Sequence, residues 1–386
     1  MEITYQLSER DLAAFYDHFY ARSKVLRRQG RRVSVWIPVF YVLLAAVLWV
    51  FLQDPILPLI LLVAGIAMAL IVPMRMKQQR RRLVRKMYGT RASHALFERQ
   101  TLRTEHDGIV NETVAGVSTT RWPYVEGIES KAGRTFIYLG ATRAHIVPRD
   151  GIIQGEYEAF VEDARQCYQA STAEANGRDG DRTRTADGET RRDSMSVGGI
   201  INPRTELVYR LAEQDLLAHS EHNATQIAPL RRVFRRAATA IFFIFLMGAF
   251  LVWVITQNAV LAAVMSAVGL VISLFVPSIL KRGRRKITGN VYRESKTPAL
   301  LMPRKLQIES DFLLNETASG AGRINWNYIE RIDTTDEHTF LYTDVVHAIV
   351  IPKHGVLRGD YDLFHAELLR HWQAAKTADA RQAEVS

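Results

Sequence analysis

Cysteine is almost missing from this chain of 386 residues: Cys167 stands alone. That excludes an internal disulfide framework and any zinc site built from several thiolates. Acidic, basic and histidine side chains are missing altogether from four long apolar runs, 33–52, 56–74, 237–255 and 259–279. No glycine-rich phosphate loop of the Walker or Rossmann type occurs, and no Gly-x-Ser-x-Gly nucleophile elbow. Residues 1–32 hold no apolar stretch behind a basic start, so a cleaved signal peptide is not expected.

Positive charge is in excess, with a formal net charge of +10, but it is unevenly spread. Segments 22–32, 75–91, 226–236 and 281–296 hold 25 of the 50 basic residues and a single acid, Glu294. The rest of the chain has 25 basic against 39 acidic residues, a net of −14. Basic charge therefore gathers beside the apolar runs, and the remaining polar segments make poor partners for a phosphate backbone. Nucleic acid is not expected as a partner.

The chain repeats itself at an offset of 204. Tyr5, Leu7, Glu9, Asp11 and Leu12 recur as Tyr209, Leu211, Glu213, Asp215 and Leu216. Arg27, Arg28, Arg31 and Arg32 recur as Arg231, Arg232, Arg235 and Arg236, and Arg80 and Arg81 as Arg284 and Arg285. Asn111-Glu112-Thr113 returns as Asn315-Glu316-Thr317, and Trp122, Tyr124, Glu126 and Ile128 as Trp326, Tyr328, Glu330 and Ile332. About 50 of 166 aligned positions are identical without a gap. The reading is two units, 1–170 and 204–376, joined by a disordered linker at 171–203 and followed by a loose tail at 377–386.

Each apolar run is long enough for a hydrocarbon core of about 30 Å at about 1.5 Å per residue. The short links Gln53-Asp54-Pro55 and Thr256-Gln257-Asn258 would fold each pair into an antiparallel hairpin. Basic outer flanks and uncharged-to-acidic tips then predict a multi-pass protein of the cytoplasmic membrane, with both termini and both polar domains cytoplasmic. Gly65 with Ala69, and Gly269 with Ser273, are spaced for close helix packing, within each hairpin or between copies. The two units are expected to pack together, or the protein to oligomerise.

The polar parts read as short strands and a closing helix. Strands are predicted at 102–106, 109–113, 117–121, 124–130, 135–139 and 145–148, with a helix at 155–168. Asp107-Gly108 marks a hairpin turn, and Asp311-Phe312 at the matching place predicts a different one. A strand at 3–7 opens each unit and is expected to pair with the later sheet. A helix follows, started by Ser8 and Asp11.

The segments Arg-Trp-Pro-Tyr-Val-Glu-Gly-Ile (121–128), Phe-Ile-Tyr-Leu (136–139) and Ile-Val-Pro-Arg (146–149), with their copies at 325–332, 340–342 and 349–353, resemble the YcxB-like family of bacterial membrane proteins, here in tandem. The resemblance implies cytoplasmic parts similar to pleckstrin-homology (PH-like) small barrels, over 89–170 and 293–374, and it carries no catalytic residues. The fold class expected is therefore an α+β membrane protein of two repeats. Each would be a transmembrane helical hairpin plus a small PH-like β-barrel closed by a C-terminal helix.

Candidate chemistry is thin. His219 and His222 lie three apart on a helix, a spacing a metal could use, but a solvated helix face explains them as well. Glu105, Asn111, Glu112 and Glu126 recur in both units, and cross-strand pairing accounts for them without acid–base work. Cys167 becomes His371 in the second unit, which argues against a shared nucleophile. No catalytic, cofactor or metal residue is expected. The candidate contacts are to anionic lipid: Arg27, Arg28, Arg31, Arg32, Arg80, Arg81, Arg82, Arg231, Arg232, Arg235, Arg236, Arg284 and Arg285. The function expected is a non-enzymatic scaffold or regulatory module with an unknown protein partner and membrane lipids as contacts. The alternative is a transport or channel component acting as an oligomer.

Overall fold

The computed structural model describes residues 1–52, 56–88, 94–140, 143–182, 202–226, most of 239–254, 257–294, 301–344 and 347–385. They form two bodies, one of Met1–Asp215 with Arg293–Ser386 and the other of Leu216–Tyr292.

In the larger body, β1 (Glu2–Gln6) leads to α1 (Glu9–Arg22), α2 (Lys24–Leu52) and α3 (Ile56–Tyr88). A short α4 (His94–Phe97) precedes β2 (Arg99–Thr104), β3 (Gly108–Thr113) and β4 (Gly116–Arg121). Next come β5 (Gly127–Lys131), β6 (Arg134–Tyr138), β7 (Ala144–Pro148), β8 (Ile152–Gln154) and α5 (Tyr157–Arg182). The second half begins with β9 (Glu206–Tyr209) and α6 (Glu213–Gln226). It resumes after α7 (Ala259–Glu294) with β10 (Arg304–Ile308), β11 (Phe312–Thr317) and β12 (Gly320–Asn325). The chain then runs through β13 (Arg331–Thr334), β14 (His338–Tyr342), β15 (Ala348–Pro352), β16 (Val356–Arg358) and α8 (Tyr361–Val385).

Two separate small barrels were expected; one ten-stranded sheet is found, in the order β16-β9-β10-β11-β12-β4-β3-β2-β1-β8. Two three-stranded sheets, β5-β6-β7 and β13-β14-β15, are not hydrogen-bonded to it, and Ile137 and Val147 of the first share a core with Ile3 and Leu102 of the large sheet. The physical cause is edge pairing. β4 and β12 would each end a sheet with unpaired backbone groups, and they satisfy one another instead. They run antiparallel with Ser118 opposite Gly322, residues that are themselves 204 apart. Around that pair the bonding is two-fold: Arg121 N–H donates to Ser319 O at 2.8 Å, and Asn325 N–H to Ala115 O at 3.0 Å. Gly116 and Gly320 make the approach feasible. Both have φ near +150°, and a Cβ at either would lie within 2 Å of a carbonyl oxygen, that of Arg323 or Thr119.

The membrane expectation is corrected as well. Among the described residues no helix is long and apolar enough to cross a membrane. The transmembrane hairpins at 33–52 with 56–74 and at 237–255 with 259–279, and the multi-pass placement built on them, are withdrawn. In the first pair the apolar runs are parts of longer mixed helices. α2 starts at Lys24 and carries its arginines in its first turns, and α3 continues through the basic stretch to Tyr88. They pack on each other, and Gly65 takes the close approach: a Cβ there would lie 2.7 Å from Tyr41 Cβ. The tip at 53–55 and much of 237–255 lie outside the described residues. In the smaller body Gly269 faces Phe245 in the same way, so the small residues serve packing between neighbouring helical segments.

Local readings fared better. β1 pairs with β2 in a single register from Glu2↔Arg103 to Gln6↔Arg99, as expected of the opening strand, and also with β8. Its alternate residues Ile3 and Tyr5 are fully buried, with Leu102, Ile109, Trp122 and Phe160 in the same core. Trp122 is not in a strand. Pro123 sits inside a 3-10 turn, Trp122–Tyr124, and β5 begins only at Gly127. The turn at Asp311-Phe312 keeps the bond of its counterpart, Glu309 N–H to Phe312 O at 3.0 Å against Glu105 N–H to Gly108 O at 2.8 Å. The turns differ in the reciprocal bond, Gly108 N–H to Glu105 O at 3.3 Å, which among the described residues is seen in the first turn and not in the second. α5 runs on to Arg182, past the start set for the linker, and α8 carries the tail to Val385; residues 183–201 are not described.

Candidate functional site

Asp11 and Asp215 occupy the same place in the two units, in the first turn of α1 and of α6. Both are buried. One carboxylate oxygen closes the helix start in each case. Ser8 N–H donates to Asp11 Oδ2 at 2.9 Å, and Ala212 N–H to Asp215 Oδ2 at 2.7 Å. The other oxygen points at the three-stranded sheet, and here the units differ.

In the first unit Arg134, at the start of β6, donates Nε to Asp11 Oδ1 at 2.6 Å. The matching residue on β14 is His338, whose Nε2 lies 2.9 Å from Asp215 Oδ1. His354, in the turn after β15, comes from the other side, with Nε2 at 3.2 Å from the same oxygen. Its counterpart is Asp150. The two imidazoles meet nearly edge to face, 5.7 Å between centroids. The His338 ring is also stacked on Phe340, and the backbone N–H of His338 donates to Thr335 Oγ1 at 3.0 Å. Asp215 and His338 are buried, whereas the His354 side chain is 44 % exposed. Gln214 brings its amide nitrogen to 3.3 Å from His354 Nε2. The result is a buried carboxylate oxygen and two imidazole nitrogens within 4.8 Å of one another, open to solvent on one side.

Sequence reasoning missed this cluster, because 215, 338 and 354 are far apart in the chain. The usable signal was the repeat itself: the aspartate is kept, while the positions of its two histidine neighbours hold Arg134 and Asp150 in the first unit. The histidines singled out instead belong to no such group among the described residues; His219 Nε2 lies 3.3 Å from Asn223 Nδ2.

Other sequence candidates have structural work. The carbonyls of Glu105 and Glu309 accept from the indole nitrogens of Trp122 and Trp326, at 2.8 and 3.0 Å. The Glu105 side chain pairs with Arg103 at 2.9 Å. Cys167 packs at the margin of the first core, and burial pushes its thiol up, away from the reactive thiolate. Of the arginines, Arg27, Arg28, Arg31 and Arg32 are exposed on α2, and Arg81 and Arg82 on α3, with Arg81 bound to Asp17 at 2.6 Å. Arg285 lies 3.7 Å from Glu221. Arg231, Arg232, Arg235 and Arg236 fall outside the described residues, as do the side chains of Arg80 and Arg284.

A family model described as YcxB-like protein matches residues 308–366. The matched stretch holds β11 to β16, including His338 and His354, and the first turn and a half of α8. No curated protein and no solved structure matches the chain.

Proposed function

We propose that the protein is a non-enzymatic scaffold of two YcxB-like units, and that its arginine rows contact anionic lipid headgroups. The tandem reading is supported by the offset of 204, which carries the matched stretch onto residues 104–162. Trp122, Tyr124, Pro148, Gly151, Tyr157 and Phe160 there equal Trp326, Tyr328, Pro352, Gly355, Tyr361 and Phe364.

One observation carries the binding reading. Arg27, Arg28, Arg31 and Arg32 are all exposed, and α2 has no acidic residue anywhere along its length. Their spacing sets the four guanidinium groups toward one side of the helix. Beyond them the same hairpin exposes large apolar side chains, among them Leu43, Leu59, Ile66 and Leu70. Apolar surface beside unopposed positive charge is a binding surface rather than a catalytic one.

Co-sedimentation of the full chain with vesicles tests this. Phosphatidylglycerol vesicles should retain the protein and phosphatidylcholine vesicles should not. With about 1 kcal/mol for each basic residue, replacing the four arginines by alanine should weaken retention by up to about a thousandfold at low salt. Equal retention on both lipids, or retention indifferent to the four substitutions and to salt, would sink the proposal.

A further inference from the structure

We propose that Asp215, His338 and His354 bind a first-row divalent cation of the zinc class, as three protein ligands with a fourth position open to water. The inference is independent of the scaffold reading.

Geometry supplies the first part of the case. The ligand atoms are Asp215 Oδ1, His338 Nε2 and His354 Nε2, and the oxygen stands 2.9 and 3.2 Å from the two nitrogens. A tetrahedral ion with bonds of about 2.0–2.1 Å holds its ligands roughly 3.3 Å apart. Both oxygen–nitrogen separations are within a few tenths of an ångström of that spacing, and the two nitrogens lie within 4.8 Å of each other. Two imidazoles and one carboxylate form a donor set that suits such ions, and the exposed side of His354 leaves room for a water. The second oxygen of Asp215 is already held by Ala212 N–H, so the carboxylate is oriented before any ion arrives.

Comparison of the two units supplies the second part. A buried carboxylate is costly unless a positive charge lies against it. In the first unit Arg134 provides that charge permanently. In the second unit the arginine is gone, yet Asp215 is more deeply buried than Asp11, at 0 % against 5 %. An imidazole carries no permanent charge. A divalent cation restores what Arg134 supplies, and the second histidine, at the position matching Asp150, completes its ligand set. It would tie the start of α6 to β14 and to the turn after β15, as the Asp11–Arg134 pair ties α1 to β6.

The test is titration of the full chain, first stripped with a chelator, with Co²⁺ and Zn²⁺. Co²⁺ should develop the visible absorption of a four-coordinate site with a stoichiometry of one, and Zn²⁺ should displace it. His338→Arg rebuilds the first unit's pair and is expected to fold; with His354→Asp it copies the first unit completely. Both His338→Arg and the double variant should weaken Co²⁺ binding at least tenfold, while the unliganded protein melts no lower than the parent because the guanidinium supplies Asp215 with a permanent charge. Absence of saturable binding in the parent chain overturns the proposal. So does undiminished binding in His338→Arg and His354→Asp, which would place the metal elsewhere.

Discussion

Replacing Gly116 by alanine should open the seam between the two halves of the large sheet. The φ of +147° at this residue belongs to glycine, and holding alanine there costs about 1–2 kcal/mol. The new Cβ would also stand 1.9 Å from Arg323 O, so β12 must move away by more than an ångström. That movement disturbs the flanking bonds from Arg121 N–H and Asn325 N–H, at about 1 kcal/mol each. The whole comes to about 3–4 kcal/mol, or roughly 5–10 °C in melting temperature. Gly320→Ala should match it, because its Cβ would stand 1.8 Å from Thr119 O at a φ of +149°. Gly322→Ala is the internal control. It sits in the same strand, at the two-fold centre, and its nearest neighbour would be Ser118 Cβ at 3.6 Å. Calorimetric melting of the three variants decides the matter. If Gly116→Ala and Gly320→Ala melt within a degree or two of Gly322→Ala, β4 and β12 are not paired as described.

Two further expectations follow from single residues. His145 Nε2 is buried without a hydrogen-bond partner among the described residues. Burial, and then the charge of Arg143, lower the His145 pKa to about 4. The unfolded chain takes up the proton near pH 6.5 and the folded one does not. Stability should therefore be lost as pH falls from about 6.5 to about 4, by at most about 3 kcal/mol. The variant His145→Ile, which copies Ile349, should lose less than the parent across that window in urea unfolding series; parallel curves would refute the assignment. Glu294, the lone acid of the basic segments, accepts from Ser23 Oγ at 2.6 Å and from Lys24 N–H at 2.7 Å, at the start of α2. Glu294→Ala should cost about 1 kcal/mol through loss of a favourable charge and hydrogen bonds at a helix N-terminus. An unchanged melting temperature, or one lowered equally by Glu294→Gln, would show that the charge does not matter there.

How much could be read beforehand depended on the range of the interaction. Strands were legible at 3–7, 102–106 and 109–113, and the structure buries Ile3, Tyr5, Leu102 and Ile109 within them. Ser8 and Asp11 signalled a helix start through a bond that spans three residues. The strand expected from Tyr124 begins only at Gly127, because Pro123 favours a turn over Trp122–Tyr124. The seam was out of reach for another reason. Whether an edge strand meets solvent or another edge is decided by shape, and neither β4 nor β12 announces a partner in its own residues. Only Gly116 and Gly320, small at matching positions, hinted at a close backbone approach. The apolar runs were over-read through their length alone. The extent of the helix around a run matters as much, and α2 and α3 extend well into charged sequence.

The repeat was most informative where its two copies disagree. Shared residues mark what both units need to fold, and they cluster in the cores, the Trp turns and the helix starts. Asp11 and Asp215 belong to that shared set, and as a helix-start carboxylate each is fully accounted for by one oxygen. Divergence shows only at the other oxygen, where one unit keeps a guanidinium and the second brings in His338 and His354 from two separate strand ends. This pair of differences keeps the buried anion, removes its permanent cation and sets two imidazoles against it. The ligand set proposed above, one carboxylate oxygen and two imidazole nitrogens, lies at that divergent oxygen of Asp215.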